Sequence, residues 1–192
     1  MTPMHVIELL LCTAALAAFS WGMVRFFHTT SGYTPHTRLV AALGFASAVC
    51  HVHAIWTSTA RWPSGLAAAV LYLAAIALFF WAIRSCGRQR LTAIFERDVP
   101  QWLVQKGPYR LVRHPFYVAY TLSWLAGWIA SRSWLALGST IMMATTYIIA
   151  AASEERKFRT SPLAAAHAAY CKRTGFMFPL TPRLWRLDPD RP

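Results

Sequence analysis

Apolar residues run almost unbroken through five stretches of the chain, roughly 4–27, 38–57, 64–84, 116–131 and 134–153, with polar residues collected between them. A helix needs about 20 apolar residues to cross the roughly 30 Å of bilayer hydrocarbon, and four of the five stretches reach that length. The runs are continuous, rich in Ala and Leu, and free of period-two alternation, so they predict helices and not barrel strands. The fourth stretch is short. Little more than Arg132-Ser133 separates it from the fifth, which predicts a tight helical hairpin. After the last run, Ser161-Pro162 opens an Ala-rich segment that ends in Lys172-Arg173 and Gly175, the cap and stop signals of one further short helix. The fold class expected is therefore all-α: a polytopic membrane protein with about five transmembrane helices and a short cytoplasmic C-terminal helix. All 192 residues are expected to form a single membrane-embedded domain, as no repeat or low-complexity linker divides them.

Composition agrees with this pattern. Hydrophobic residues make up 56% of the chain and charged residues 14%, against about a quarter charged in soluble domains. The net charge of +12 does not point to nucleic acid, because the basic residues lie between apolar runs and not along one face. They report topology instead. Seventeen of the nineteen Lys and Arg residues fall on one side when the five runs alternate in direction, leaving only Arg61 and Arg132 on the other. The positive-inside rule then places the N-terminus outside and the C-terminus in the cytoplasm. The first eight residues contain Glu8 and no Lys or Arg, which argues for a retained helix over a signal peptide. A prokaryotic inner membrane is the expected location. Cys12, Cys50, Cys86 and Cys171 show no pairwise spacing of a zinc or haem site, and no metal is expected. Cys12 and Cys50 read as small hydrophobes inside apolar runs.

Two polar clusters stand out from this background. The first is Lys106-Gly-Pro-Tyr-Arg110-Leu-Val-Arg-His-Pro-Phe-Tyr117. Gly107-Pro108 marks a turn, and Pro115 disfavours helix at His114 while suiting the first turn of the helix that follows. Irregular backbone at a membrane boundary is tolerated where it lines a cavity or is packed in protein. A basic interfacial anchor with Tyr109 and Tyr117 in the aromatic belt is the simpler alternative. The second cluster is Glu154-Glu155, at the cytoplasmic end of the fifth run, where paired carboxylates oppose the helix dipole. They account for two of only seven acidic residues in the chain. Pairing with Arg156, Lys157 and Arg159 is one fate for them, and holding a cationic ligand is the other.

Together, Gly-Pro-Tyr-Arg-x-x-Arg-His-Pro-x-Tyr, the helical hairpin, Glu-Glu and a short helix ending near Tyr170-Cys-Lys-Arg resemble the superfamily of isoprenylcysteine carboxyl methyltransferases and phospholipid N-methyltransferases. The resemblance covers roughly residues 85–180. It implies S-adenosyl-L-methionine in a cytoplasm-facing pocket closed by the C-terminal segment, with its methyl directed at a lipid-accessible tunnel, and as partners a small hydrophobic or lipid-like methyl acceptor and the surrounding membrane lipids. By position it implies that Gln101, Trp102, Leu103, Val104 and Tyr109 line the cofactor on one side, with His114, Pro115, Phe116 and Tyr117 on another and Glu154 reaching it from the fifth helix. Where the acceptor carries a proton, Glu155 or His114 is the candidate catalytic base. One departure matters. Carboxyl methyltransferases of the group place an arginine one turn before the cofactor-binding glutamate, and the matching residue here is Ala150. A carboxylate clamp is absent there, which favours an amine, a thiol or another small hydrophobic acceptor.

The alternatives are a nicotinamide-dependent membrane reductase of the sterol reductase type and a non-enzymatic membrane scaffold. A polyanionic dinucleotide is poorly matched to Glu154-Glu155. His51-x-His53 lies at i, i+2, so its rings point to different helix faces and are unsuited to chelating one ion. Trp56, Trp62, Trp128 and Trp134 are expected at the outer interface, and Gly44, Gly127 and Gly138 at close helix contacts. Phe176-Met-Phe-Pro-Leu180 is expected to dip into the interface or cover a pocket, and Leu187-Asp-Pro-Asp-Arg-Pro to form a frayed tail.

Overall fold

The computed structural model describes residues 3–28, 34–58, 62–87, 91–92 and 102–180. Among these, the helices are α1 (Pro3–Phe26), α2 (Pro35–Trp56), α3 (Trp62–Cys86), α4 (Pro115–Ser131), α5 (Trp134–Arg159) and α6 (Ala164–Arg173). A 3₁₀ turn spans Gly107–Arg110, and two minimal strands, β1 (Phe27–His28) and β2 (Leu91–Thr92), pair in parallel. The fold is all-helical apart from that pairing. By length and composition α1, α2, α3 and α5 can cross a membrane. Helix α4 has 17 residues, about 26 Å at 1.5 Å per residue, just short of the hydrocarbon thickness. It is also the most enclosed helix, packing along α3 and α5 and touching α1 and α2. Protein, not lipid, surrounds it. The other four helices turn side chains such as Val24, Phe45, Leu66 and Leu135 outward, as a lipid-facing surface requires. The protein is an integral membrane protein.

Local chemistry sets the helix boundaries. Helix α2 starts three residues before the apolar run, because Thr34 caps it: its hydroxyl accepts from Thr37 N–H at 3.2 Å, and Pro35 occupies the first turn. The hairpin between α4 and α5 is as tight as expected. Arg132 takes a left-handed conformation (φ 55°) with its N–H on Trp128 O, and Ser133 caps α5 by accepting from Ala136 N–H. Helix α5 continues six residues past the apolar run, to Arg159. Glu154 and Glu155 therefore lie inside a helix and not at its end, since Glu, Arg and Lys all propagate helix well once the turn before them is formed. Helix α6 begins later than expected. The Ser161 hydroxyl accepts from Leu163 N–H at 3.1 Å and donates to Phe158 O at 2.8 Å, making Ser161-Pro162 a turn, and the helix starts at Ala164.

The expected glycine contacts are partly different. A Cβ on Gly127 would lie 2.2 Å from His51 Nδ1, so α2 and α4 do meet there. Gly44 faces only Met143 at ordinary contact distance and Gly138 faces nothing within 4 Å, so neither allows a close approach. Gly22, against Phe79, and Gly65, against Met4 and Glu8, are the other tight positions within the described α-helices. Trp56 and Trp134 are exposed, consistent with interfacial anchoring. His51 is buried and His53 exposed, as an i, i+2 pair on a helix must be. Cys12 is buried and Cys50 half-buried. The terminal Leu-Asp-Pro-Asp-Arg-Pro lies outside the described residues.

Candidate functional site

One end of the bundle gathers the C-terminus of α3, the 3₁₀ turn, the start of α4, the end of α5 and helix α6. The turn is anchored first. Gly107 has a positive φ (56°) and sits where a Cβ would come 1.9 Å from Ser85 Oγ and 2.9 Å from Trp81 Nε1. Only glycine fits both the conformation and the space. Past the turn, the backbone zips to the segment after α6. Arg113 N–H donates to Gly175 O at 2.8 Å, and Gly175 N–H donates to Leu111 O at 3.1 Å. The Tyr170 hydroxyl, on α6, donates to Tyr109 O at 2.6 Å. Burial keeps both phenols, Tyr109 and Tyr170, in the protonated form needed to donate, with pKa values raised above the ordinary tyrosine range.

His114 is the N-cap of α4, yet its side chain makes no capping bond. It is turned to α5 instead. His114 Nε2 lies 3.2 Å from Glu155 Oε1, and His114 Nδ1 lies 3.6 Å from Glu154 Oε2. Glu155 Oε1 also accepts from Arg113 Nε at 2.6 Å. The same guanidinium donates to Thr174 O and, at 3.4 Å, to Cys171 O, and it lies 5.7 Å from the centre of the Phe176 ring. Glu154 has a different partner: the Tyr117 hydroxyl donates to its Oε1. The Glu154 side chain keeps 33% of its surface exposed, against 13% for Glu155. Glu155 is thus the more enclosed carboxylate, tied to Arg113 and His114, and Glu154 is the more accessible one. Burial opposes the imidazolium of His114, but the carboxylates Glu154 and Glu155 outweigh it and the net shift of its pKa is upward.

Aromatic rings lie beneath Glu154. Tyr117 stacks on Tyr147 with centroids 5.6 Å apart and 13° between planes, Tyr120 leans on Tyr147 at 5.5 Å, and Trp124 Nε1 donates to the Tyr147 hydroxyl at 3.1 Å. On the other side Phe176 meets the His114 ring edge-on at 5.1 Å, and Met177 is buried in the same cluster. The apolar segment after α6 therefore covers the site through Phe176 and Met177, while Phe178 stays exposed.

Of the residues expected at the site, His114, Tyr117, Glu154 and Glu155 come together. Pro115 is buried at the first turn of α4. Phe116 packs into the bundle against Phe79 at 5.5 Å, and the Tyr109 hydroxyl points to Cys86 Sγ at 3.3 Å. Val104 packs on the buried cluster around Tyr117, Leu103 is half-buried and Trp102 is half-exposed. Gln101 lies outside the described residues. Residues with no role at the site assigned from sequence include Arg113 and Tyr147, whereas Phe176 belongs to the segment expected to cover a pocket. Tyr147 had a signal: it precedes Glu154 by seven residues, two turns along one face of α5. Arg113 reads in sequence as one more topology charge, and nothing there sets it apart from Arg110.

No curated protein matches the chain. The model of the phospholipid methyltransferase family does match, over residues 64–161, just over half of the 192 residues. That span runs from α3 through the 3₁₀ turn and α4 to the end of α5, and so takes in His114, Tyr117, Glu154 and Glu155. The chain is a membrane methyltransferase by descent and belongs to the phospholipid methyltransferase family.

Proposed function

We propose that the protein transfers a methyl group from S-adenosyl-L-methionine to a small hydrophobic or lipid-like acceptor at the cytoplasmic face of the membrane. The observation that carries this is Glu154: an accessible carboxylate held by Tyr117, over a stack of tyrosine rings, at the membrane boundary. A sulfonium is favoured by carboxylates and aromatic faces, so the residues present fit that cofactor. Bound there, it supplies an activated methyl group. The protein's part is to orient both reactants and exclude water. Glu154 and Tyr117 would face the sulfonium end. Trp102, Leu103, Val104 and Tyr109 would line the cofactor on the side of the turn, with Pro115 and Phe116 shaping the wall at the start of α4. Phe176 and Met177 would close the pocket.

In its neutral form His114, set between the two carboxylates, is the group best placed to take a proton from the acceptor, and Glu155 with Arg113 would fix its ring. Ala150, one turn before Glu154, is buried, which supports an acceptor without a carboxylate, such as an amine or a thiol. Calorimetric titration of detergent-purified protein with S-adenosylmethionine tests the cofactor site. Binding by the wild type, weakened at least tenfold (about 1.4 kcal/mol) in Glu154→Ala and in His114→Ala, is expected. Folded wild type that binds neither S-adenosylmethionine nor S-adenosylhomocysteine would overturn it, and binding of a nicotinamide dinucleotide in their place would favour the reductase.

A further inference from the structure

Helix α6 carries a second set of polar side chains that methyl transfer does not require. His167 and Cys171 are four residues apart and so lie on one face of the helix. Cys171 Sγ is 3.6 Å from His167 Nε2 and 3.7 Å from Nδ1. The Glu155 carboxylate approaches from α5, and one ligating atom from each of the three lies within 4.8 Å of the others. The His167 ring is stacked on Phe158 with centroids 4.6 Å apart and 7° between planes, which holds its orientation.

We propose that Glu155, His167 and Cys171 form a binding site for a divalent transition-metal ion of the zinc class, and that the ion ties α6 to α5. The distances support it. Sulfur at about 2.3 Å and imidazole nitrogen at about 2.0 Å from a tetrahedral ion lie roughly 3.6 Å apart; the helix holds Cys171 Sγ at that distance from either ring nitrogen, and a turn of the imidazole brings one lone pair onto the ion. The carboxylate is the looser ligand and closes with a side-chain movement of about 1 Å, given the same bond lengths. One sulfur, one nitrogen and one oxygen suit a borderline-soft ion, whereas calcium and magnesium ask for oxygen alone. Thiolate and carboxylate together neutralise the double positive charge, and the thiol proton passes to solvent on binding. Arg113 and Arg159 are the arginines whose charge reaches His167 and Cys171, and Arg113 also binds Glu155. The hydrogen bond from Arg113 to Glu155 Oε1 makes it, with His114, the kind of outer partner that orients a ligating carboxylate. Three protein ligands leave a fourth position for water.

Cysteine spacing in the sequence could not show this site, because the trio contains one cysteine and takes its third ligand from another helix. Cobalt is the probe. The full chain, purified in detergent and stripped with a chelator, should bind one Co²⁺ per molecule with a thiolate-to-cobalt charge-transfer band and tetrahedral d–d bands, all removed by stoichiometric Zn²⁺. Cys171→Ser should lose the charge-transfer band, and His167→Ala should weaken binding at least tenfold, each in protein with wild-type helical circular dichroism. A folded wild type without the band, or a band that survives in Cys171→Ser, would overturn the site. If either variant does not fold, alkylation of wild-type Cys171 read by mass spectrometry decides instead. Protection by Zn²⁺ supports the site, and equal labelling with and without it overturns it.

Discussion

Glu154 and Glu155 are adjacent in sequence and are given opposite tasks by their surroundings. Arg113 and His114 hold Glu155, and a tyrosine hydroxyl holds Glu154 while leaving it open. Tyr117→Phe removes only that hydroxyl, and a hydrogen bond to a charged group contributes about 1.5–3 kcal/mol. The expected outcome, in calorimetry, is a loss of cofactor affinity of tenfold or more with the fold intact. His114 makes a prediction about pH. Its folded pKa is raised above the ordinary value of 6.5, so its ion-pair contribution is complete below that value and is lost as pH rises through the higher folded one. In chelator-treated protein, the melting temperature of wild type relative to His114→Gln should therefore fall as pH rises across that interval. A difference that stays flat or grows with pH would contradict the assignment. At this scale the motif made His114, Tyr117 and both glutamates legible. Arg113 was not, because a guanidinium that sets topology and one that holds a partly buried carboxylate are the same residue in sequence.

Capping side chains fix the starts of α2 and α5 but not of α4 or α6, and hydropathy alone misses helix ends by up to two turns. Helix α5 ran on past its apolar stretch, and this puts Glu154 and Glu155 on a rigid helix and not on a fraying end. Two turns offer contrasting tests. Gly107→Ala would force a Cβ against Ser85 and Trp81 in a left-handed conformation, and should cost about 2 kcal/mol or more, seen as a lowered melting temperature and weakened cofactor binding. Arg132, also left-handed (φ 55°), stands at a helix end where glycine is the natural residue. Arg132→Gly should stabilise the hairpin by about 1 kcal/mol, raising the melting temperature and leaving cofactor affinity unchanged.

At the scale of the molecule, the short α4 is central and four longer helices enclose it. That arrangement brings His114 and Tyr117, at its start, to the end of α5. The segment after α6 then crosses over them, through the bridge of Val112 to Gly175. Seventeen of nineteen basic residues fall on the side of this site in sequence order, so the site should face the cytoplasm. A fluorescent reporter fused to the C-terminus should fold and glow, and a periplasmic phosphatase fused there should stay inactive. The reverse pattern would invert the topology.

Membrane residence, the helical class, the hairpin and the pair of motifs were settled by the chain itself. Transfer into lipid and helix propagation are sums over neighbouring residues and do not depend on which helix packs on which. Tertiary structure alone decided that α4 is the core, that Phe116 turns inward and that each glutamate takes its own donor. Those outcomes rest on contacts such as Tyr117 with Glu154, 37 residues apart, and Arg113 with Thr174, 61 residues apart. A hydrogen bond is directional and short, so which donor reaches which carboxylate depends on how the helices rotate against each other, and no local pattern in the sequence encodes that rotation.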